Sequence, residues 1–132
     1  ALSGVEIAKK LGYDESVVFK TLVTVAPSKK NYVFVIPSAC ELDLKRAASA
    51  VGEKSVAMIK QAELLPLTGY IRGGCSPIGM KKRFPTYIHQ SCLDHQQIYI
   101  SAGVRGLQIC ISPTDLISFC SAEVGETSQP IK

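Results

Sequence analysis

The sequence lacks any apolar run near the ~20 residues that a membrane-spanning helix needs. Its first residues also lack the basic-then-apolar layout of a secretory signal. A soluble, cytosolic protein with no membrane partner is therefore expected. No C-x-x-C pair occurs. The five cysteines, Cys40, Cys75, Cys92, Cys110 and Cys120, are odd in number and widely spaced. A secreted disulfide scaffold carries its cysteines more densely, so these are expected as small buried hydrophobes. Histidine is scarce too, with only His89 and His95. Neither stands at ligand spacing from a cysteine pair, which argues against zinc. Neither lies in a recognisable catalytic context, which argues against a Ser-His-Asp or Cys-His centre. No metal and no cofactor are expected.

What is present is a 132-residue chain, 46% hydrophobic, enough for one domain with its own core. The net charge of +4 and pI near 8.8 permit an acidic partner such as RNA without requiring one. No repeat, low-complexity segment or linker divides it.

Ser3 and Glu6 form a capping box for a helix through about Leu11, with Gly12 at its end. A domain that opens on a helix without any lead-in is expected to lack an N-terminal piece. Residues 17–26 (VVFKTLVTVA) read as a strand, 27–31 as a polar turn, and 32–36 as the returning strand of a hairpin that Pro37 ends. A helix is expected over 42–51, stopped by Gly52. A short strand at 56–58 and a short helix over 60–65, ended by Pro66 and Gly69, follow. Three more strands are expected at 86–89, 98–101 and 107–111. Ser112, Pro113 and Asp115 open a last helix, and the polar tail after Ala122 is expected to be loose. Strands outnumber helices and cluster as hairpins. The fold class is thus mixed α/β (α+β), with a curled, mainly antiparallel sheet and flanking helices.

Four features can carry chemistry. Lys20 sits in an apolar strand, on the face of Val18 and Leu22. A charge there either pairs with an anion or snorkels to water at a sheet edge. The loop Gly73-Gly74-Cys75-Ser76-Pro77-Ile78-Gly79 can bring backbone N–H groups close to an anion, or is only a turn. Asp115 either serves its own helix end or orients Lys20 or a substrate amine. Lys81, Lys82 and Arg83 form either a phosphate-contacting run or a solvated loop.

Taken in order, VFKTLV at 18–23, ELDLKRAASAVG at 41–52, LTGYIRGGCSPIGMKKRFPTYI at 67–88, IYISAGVRGLQI at 98–109 and SPTDLI at 112–117 resemble the YbaK/EbsC proteins. These are relatives of the editing domain of prolyl-tRNA synthetases. The resemblance covers nearly the whole chain. It implies a six- or seven-stranded sheet curled into a partial barrel, and a single editing domain over residues 1–132. It implies an aminoacyl-tRNA deacylase that removes cysteine from tRNA(Pro) or tRNA(Cys) in trans. The substrate thiol attacks its own ester to give a cyclic thiolactone. The family's essential lysine matches Lys20, its substrate loop matches Gly73, Gly74, Ser76 and Pro77, and its late acidic residue matches Asp115. Cys75 and Met80 depart from the family pattern, which has Ile or Leu, and Gln, there. The partners implied are aminoacyl-tRNA and a prolyl-tRNA synthetase, with the protein a monomer. The alternatives are clearance of Ala, Ser or Thr, and a non-catalytic tRNA- or synthetase-binding module. Lys20 argues against the last, since RNA binding alone needs no lysine within an apolar strand.

Overall fold

The computed structural model describes residues 15–130. The helix expected over residues 3–11 lies outside them. β-Branched residues make β1 (Phe19–Val25) and β2 (Asn31–Pro37), which pair antiparallel from Phe19↔Pro37 to Val25↔Asn31, as the hairpin reading required. The turn between them places Lys29 at φ 71. β3 (Cys40–Leu42) follows, then α1 (Leu44–Val51). The helix starts two residues later than expected, because the Asp43 side chain accepts from the Arg46 N–H and caps it. It stops at Gly52, which is left-handed as anticipated.

β4 (Ala57–Met58) leads into α2 (Gln61–Thr68). Pro66 does not end this helix, contrary to expectation. It removes one donor on an exposed stretch, and the chain stays helical until Gly69 at φ 87. β5 (Thr86–His89), β6 (Ile98–Ser101), β7 (Gln108–Ile111) and α3 (Pro113–Cys120) stand where the sequence put them. The tail is not loose. It forms β8 (Glu123–Gly125) beside β5, and β9 (Ser128–Pro130) beside β3.

The strands make one five-stranded sheet in the order β4-β1-β2-β5-β8 and two ribbons, β3-β9 and β6-β7. The main sheet is therefore smaller than the six or seven strands expected, while its mixed, mainly antiparallel and open character is as expected. β2, β5 and β8 run parallel, while the other pairings are antiparallel. One core cluster holds Phe19, Val23, Val33, Val35, Ile88, Ile98, Ile100 and Leu116. The other holds Phe34, Ile36, Ala47 and Ala48, with Phe34 stacked on Tyr87 at 5.7 Å. This split follows the alternation of β2.

The pairing of β1 positions the site. On one side it pairs with β2 throughout. On the other, Val18 bridges Tyr99 and Thr24 and Val25 meet β4. Residues 19–22 thus lie at a gap in the sheet between two partners.

Candidate active site

A cavity of about 590 Å³ fills that gap. β1 contributes Phe19 to Val23, β4 and the entry to α2 contribute Met58, Ile59 and Leu64, and the following loop contributes Arg72, Gly73 and Cys75. Ser38, Ser101 and Gln108 complete the wall. Ser101 and Gln108 face each other across the β6–β7 register. The size suits a small ligand held by an apolar wall with a few polar groups.

Lys20 and the glycine loop, far apart in sequence, meet here. Lys20 is half-buried. Burial lowers its pKa below the ordinary lysine value, and the nearby Cys40 and Glu41 oppose that shift. Both belong to β3, so the short strand missed in the sequence lies beside Lys20.

The loop is held by its own hydrogen bonds. The Gly74 N–H donates to Ile71 O at 2.9 Å, the Ile78 N–H donates to Ser76 Oγ at 3.2 Å, and the Tyr70 hydroxyl donates to Ile78 O. Gly73 has φ 84, a conformation that favours glycine. A Cβ on Gly74 would lie 3.2 Å from the backbone of Val104 and Arg105. The loop itself thus favours glycine at 73 by its backbone conformation and leaves little room for a side chain at 74. Of the expected substrate residues, Gly73 lines the cavity, whereas Gly74, Ser76 and Pro77 are buried and do not line it.

Cys75 lines the cavity as well. Burial pushes its thiol up to about 11, against a hydrogen bond with Thr68 that pulls the other way. At neutral pH only about one thiol in 10⁴ would be ionised. His89 and His95 do not line the cavity. His89 Nδ1 instead accepts from the Ser91 N–H at 3.2 Å.

Asp115 is not brought to this cavity. It is exposed in the first turn of α3, where its own N–H donates to Ser112 Oγ at 3.2 Å, and the residues that raise the Lys20 pKa are Cys40 and Glu41. The helix-end reading of Asp115 accounts for this position. The basic run borders a second groove of about 270 Å³, walled by Lys82, Arg83, Pro77, Phe84 and Phe119. Lys81 instead packs its stem near Gly69. Phe119 is 65% exposed, and Arg83 donates to its carbonyl at 3.3 Å. Sequence reasoning missed Ser38, Arg72, Ser101, Gln108 and Phe119. No local pattern marks any of them, since each acquires its place only through tertiary contacts.

Comparison with known proteins places the chain among the aminoacyl-tRNA editing domains. The family model described by that name matches residues 3–119, and the chain belongs to this family. It is 46% identical, over 95% of its length and 76% of the relative's, to an Enterococcus faecalis protein with the provisional name Cys-tRNA(Pro)/Cys-tRNA(Cys) deacylase EbsC. It is 28% identical to a proline–tRNA ligase of Shouchella clausii, over 76% of this chain and 18% of the ligase. A solved structure described as a candidate trans-editing enzyme for prolyl-tRNA synthetase matches with a TM-score of 0.89 and 24% identity, covering 96% of this chain and 80% of the other. The resemblance read from the sequence is thereby confirmed, and so is the class of fold.

Proposed function

We propose that the chain is a trans-acting aminoacyl-tRNA deacylase that clears cysteine from Cys-tRNA(Pro) and Cys-tRNA(Cys), with Lys20 as its essential charged group. The observation that carries this reading is the meeting of Lys20 and the Gly73 loop in one cavity, in a chain so similar to a protein named for that activity.

The cavity receives the aminoacyl end of the tRNA. The cysteinyl thiol gives its sulfur lone pair to its own ester carbonyl, closing a four-membered thiolactone as the carbonyl–ribose C–O bond breaks. The thiol proton ends on the ribose oxygen. Atoms balance without water, metal or protein nucleophile. Proximity within one residue drives the attack. The Lys20 ammonium stabilises the developing oxyanion. Gly74 does not serve as an oxyanion donor, because its N–H is spent on Ile71 O. A largely protonated Cys75 stands by as wall rather than nucleophile. Asp115 has no part in these steps.

The chain works as one domain, in the cytoplasm, as a monomer, with tRNA(Pro) and a prolyl-tRNA synthetase as its partners. Among the described residues no helix is long and apolar enough to cross a membrane. The test is to incubate the purified protein with tRNA(Pro) charged with Cys, Ala, Ser or Thr. Selective loss of cysteine is expected. Selective loss of alanine would move the substrate assignment, and release of none would sink the enzymatic reading.

Lys81, Lys82 and Arg83 contact tRNA phosphates in this reading, with Lys82 and Arg83 beside the exposed ring of Phe119. Replacing all three with Ala should weaken tRNA binding and flatten the slope of log affinity against log salt by about 0.7 to 0.9 per lost contact. A titration at several salt concentrations reads this directly. An unaltered slope would return the run to a solvated loop.

A further inference from the structure

Among the described residues, four buried side-chain oxygen atoms have no hydrogen-bond partner: Thr21 Oγ1, Ser38 Oγ, Gln108 Oε1 and Thr127 Oγ1. Three of these residues, Thr21, Ser38 and Gln108, line the one cavity that also holds Lys20. Buried polar atoms are almost always paired, so three orphans around one space mark a place left for a ligand's donors. Ser38 is only 8% exposed, so little of it is open to bulk solvent.

We infer that Gln108, with Thr21 and Ser38, receives the α-ammonium group of the substrate's aminoacyl moiety. This rests on the deacylase reading and deepens it. An ammonium carries three N–H donors and no acceptor. A carboxamide oxygen can only accept, and the two hydroxyls can do so by turning their own protons away. A ribose hydroxyl offers one donor and would leave the other two oxygens bare. Successive residues of a strand point to opposite faces, so Thr21 is directed away from Lys20. The two walls of the gap then sort the two ends of the substrate. The ammonium lies toward Thr21 and Gln108, and the ester carbonyl lies toward Lys20. This keeps the two cations apart. Ser101, opposite Gln108 in the ribbon, already uses its hydroxyl to accept from the Gly103 N–H at 3.2 Å, so Gln108 is the acceptor that β6–β7 supplies.

The consequence is selection for a free amine. Gln108 is a positioning residue in this scheme, and its removal should be felt only by substrates that carry the amine. Single-turnover cleavage is measured for tRNA(Pro) charged with cysteine and for the same tRNA charged with 3-mercaptopropionate, which keeps the thiol and ester but lacks the amine. The two esters differ in intrinsic reactivity, but that difference cancels when variant is divided by wild type. Gln108→Met has nearly the same shape and lacks the acceptor. It should slow the cysteinyl substrate about 10- to 100-fold, as expected for a lost hydrogen bond to a charged group. The 3-mercaptopropionyl substrate should be cleaved at close to the wild-type rate. Thr21→Val and Ser38→Ala should shift the same ratio less, in the same direction. Equal slowing of both substrates by Gln108→Met would reduce Gln108 to a structural role and overturn the inference, as would a variant that slows neither. A wild-type protein that cleaves neither substrate would instead remove the deacylase reading beneath it.

Discussion

Lys20→Ala is expected to fold as the parent does and to lose deacylation by about 10²-fold or more, the scale of one lost oxyanion donor. Stability and activity should separate here, and the reason lies in the sign of the pKa shift. Burial lowers the Lys20 pKa in the folded protein from 10.5, so the unfolded chain holds this proton more tightly. The protonated lysine therefore weakens the fold at neutral pH. That cost fades as pH rises through the interval between the lowered value and 10.5, where both states lose the proton. Alanine removes the buried charge, so the variant should melt no lower than the parent at neutral pH on account of charge. Activity runs the other way. The proposed mechanism uses the ammonium, so enzymatic cleavage, after subtraction of spontaneous hydrolysis, should fall off below the ordinary lysine pKa as pH rises. Lys20→Arg should rescue poorly, because a planar guanidinium is a different shape and its charge does not titrate in this range. Near wild-type turnover in a folded Lys20→Ala variant would end the assignment. So would a large loss of Tm in step with the loss of activity.

The second large effect concerns who supplies the nucleophile. Cys-tRNA(Pro) should be cleaved at least about 10²-fold faster than Ser-tRNA(Pro), because a hydroxyl attacks its own ester far more poorly than a thiol does. Cys75 is the obvious protein rival, since it lines the cavity. Its thiol, pushed up to about 11, is almost wholly protonated and unreactive at neutral pH. Cys75→Val should keep cysteinyl cleavage within about threefold, since the added methyl group can extend into the cavity that Cys75 lines. Its partner Thr68 is not stranded by the change. Thr68 Oγ1 still donates to Leu64 O at 2.7 Å and accepts from the Tyr70 N–H at 3.1 Å. Single-turnover rates for both substrates with both proteins decide the matter. Loss of cysteinyl cleavage in folded Cys75→Val, or equal rates on the two substrates in wild type, would refute self-cleavage.

Much of the local structure was legible because local chemistry dictates it. The β-branched run through Val23, the turn of Pro27 to Asn31, the left-handed stop at Gly52 and the Ser112 cap each act over a few residues. What stayed hidden depends on distant partners. β3 and β9 are three residues each and form because each completes the other's hydrogen bonds. β8 has little apolar burial to betray it, yet β5 gives it a parallel neighbour. The site divides in the same way. Lys20 was conspicuous because a charge in an apolar strand is costly, and the glycine loop because glycine marks unusual backbone. Gln108 is an ordinary residue of an ordinary strand until Ser101 and β1 arrive around it. Asp115 was legible for a different reason, since its place in the first turn of a capped helix is set by local chemistry.

The gap in the sheet also governs when the site comes into being during synthesis. Its walls begin at Phe19 and end at Gln108, and the parallel β2–β5 pair cannot close until the chain has travelled from Pro37 to Thr86. Such pairing carries the loop-closure entropy of a long connection and is slow relative to hairpin formation. At about 5–20 residues per second, a ribosome delivers Gln108 roughly 5–20 s after Phe19. Until then β1 and β2 can stand as a hairpin bearing Lys20 with no chamber around it. A nascent or truncated chain ending before β7 would therefore carry Lys20 and yet have no enclosed space around it.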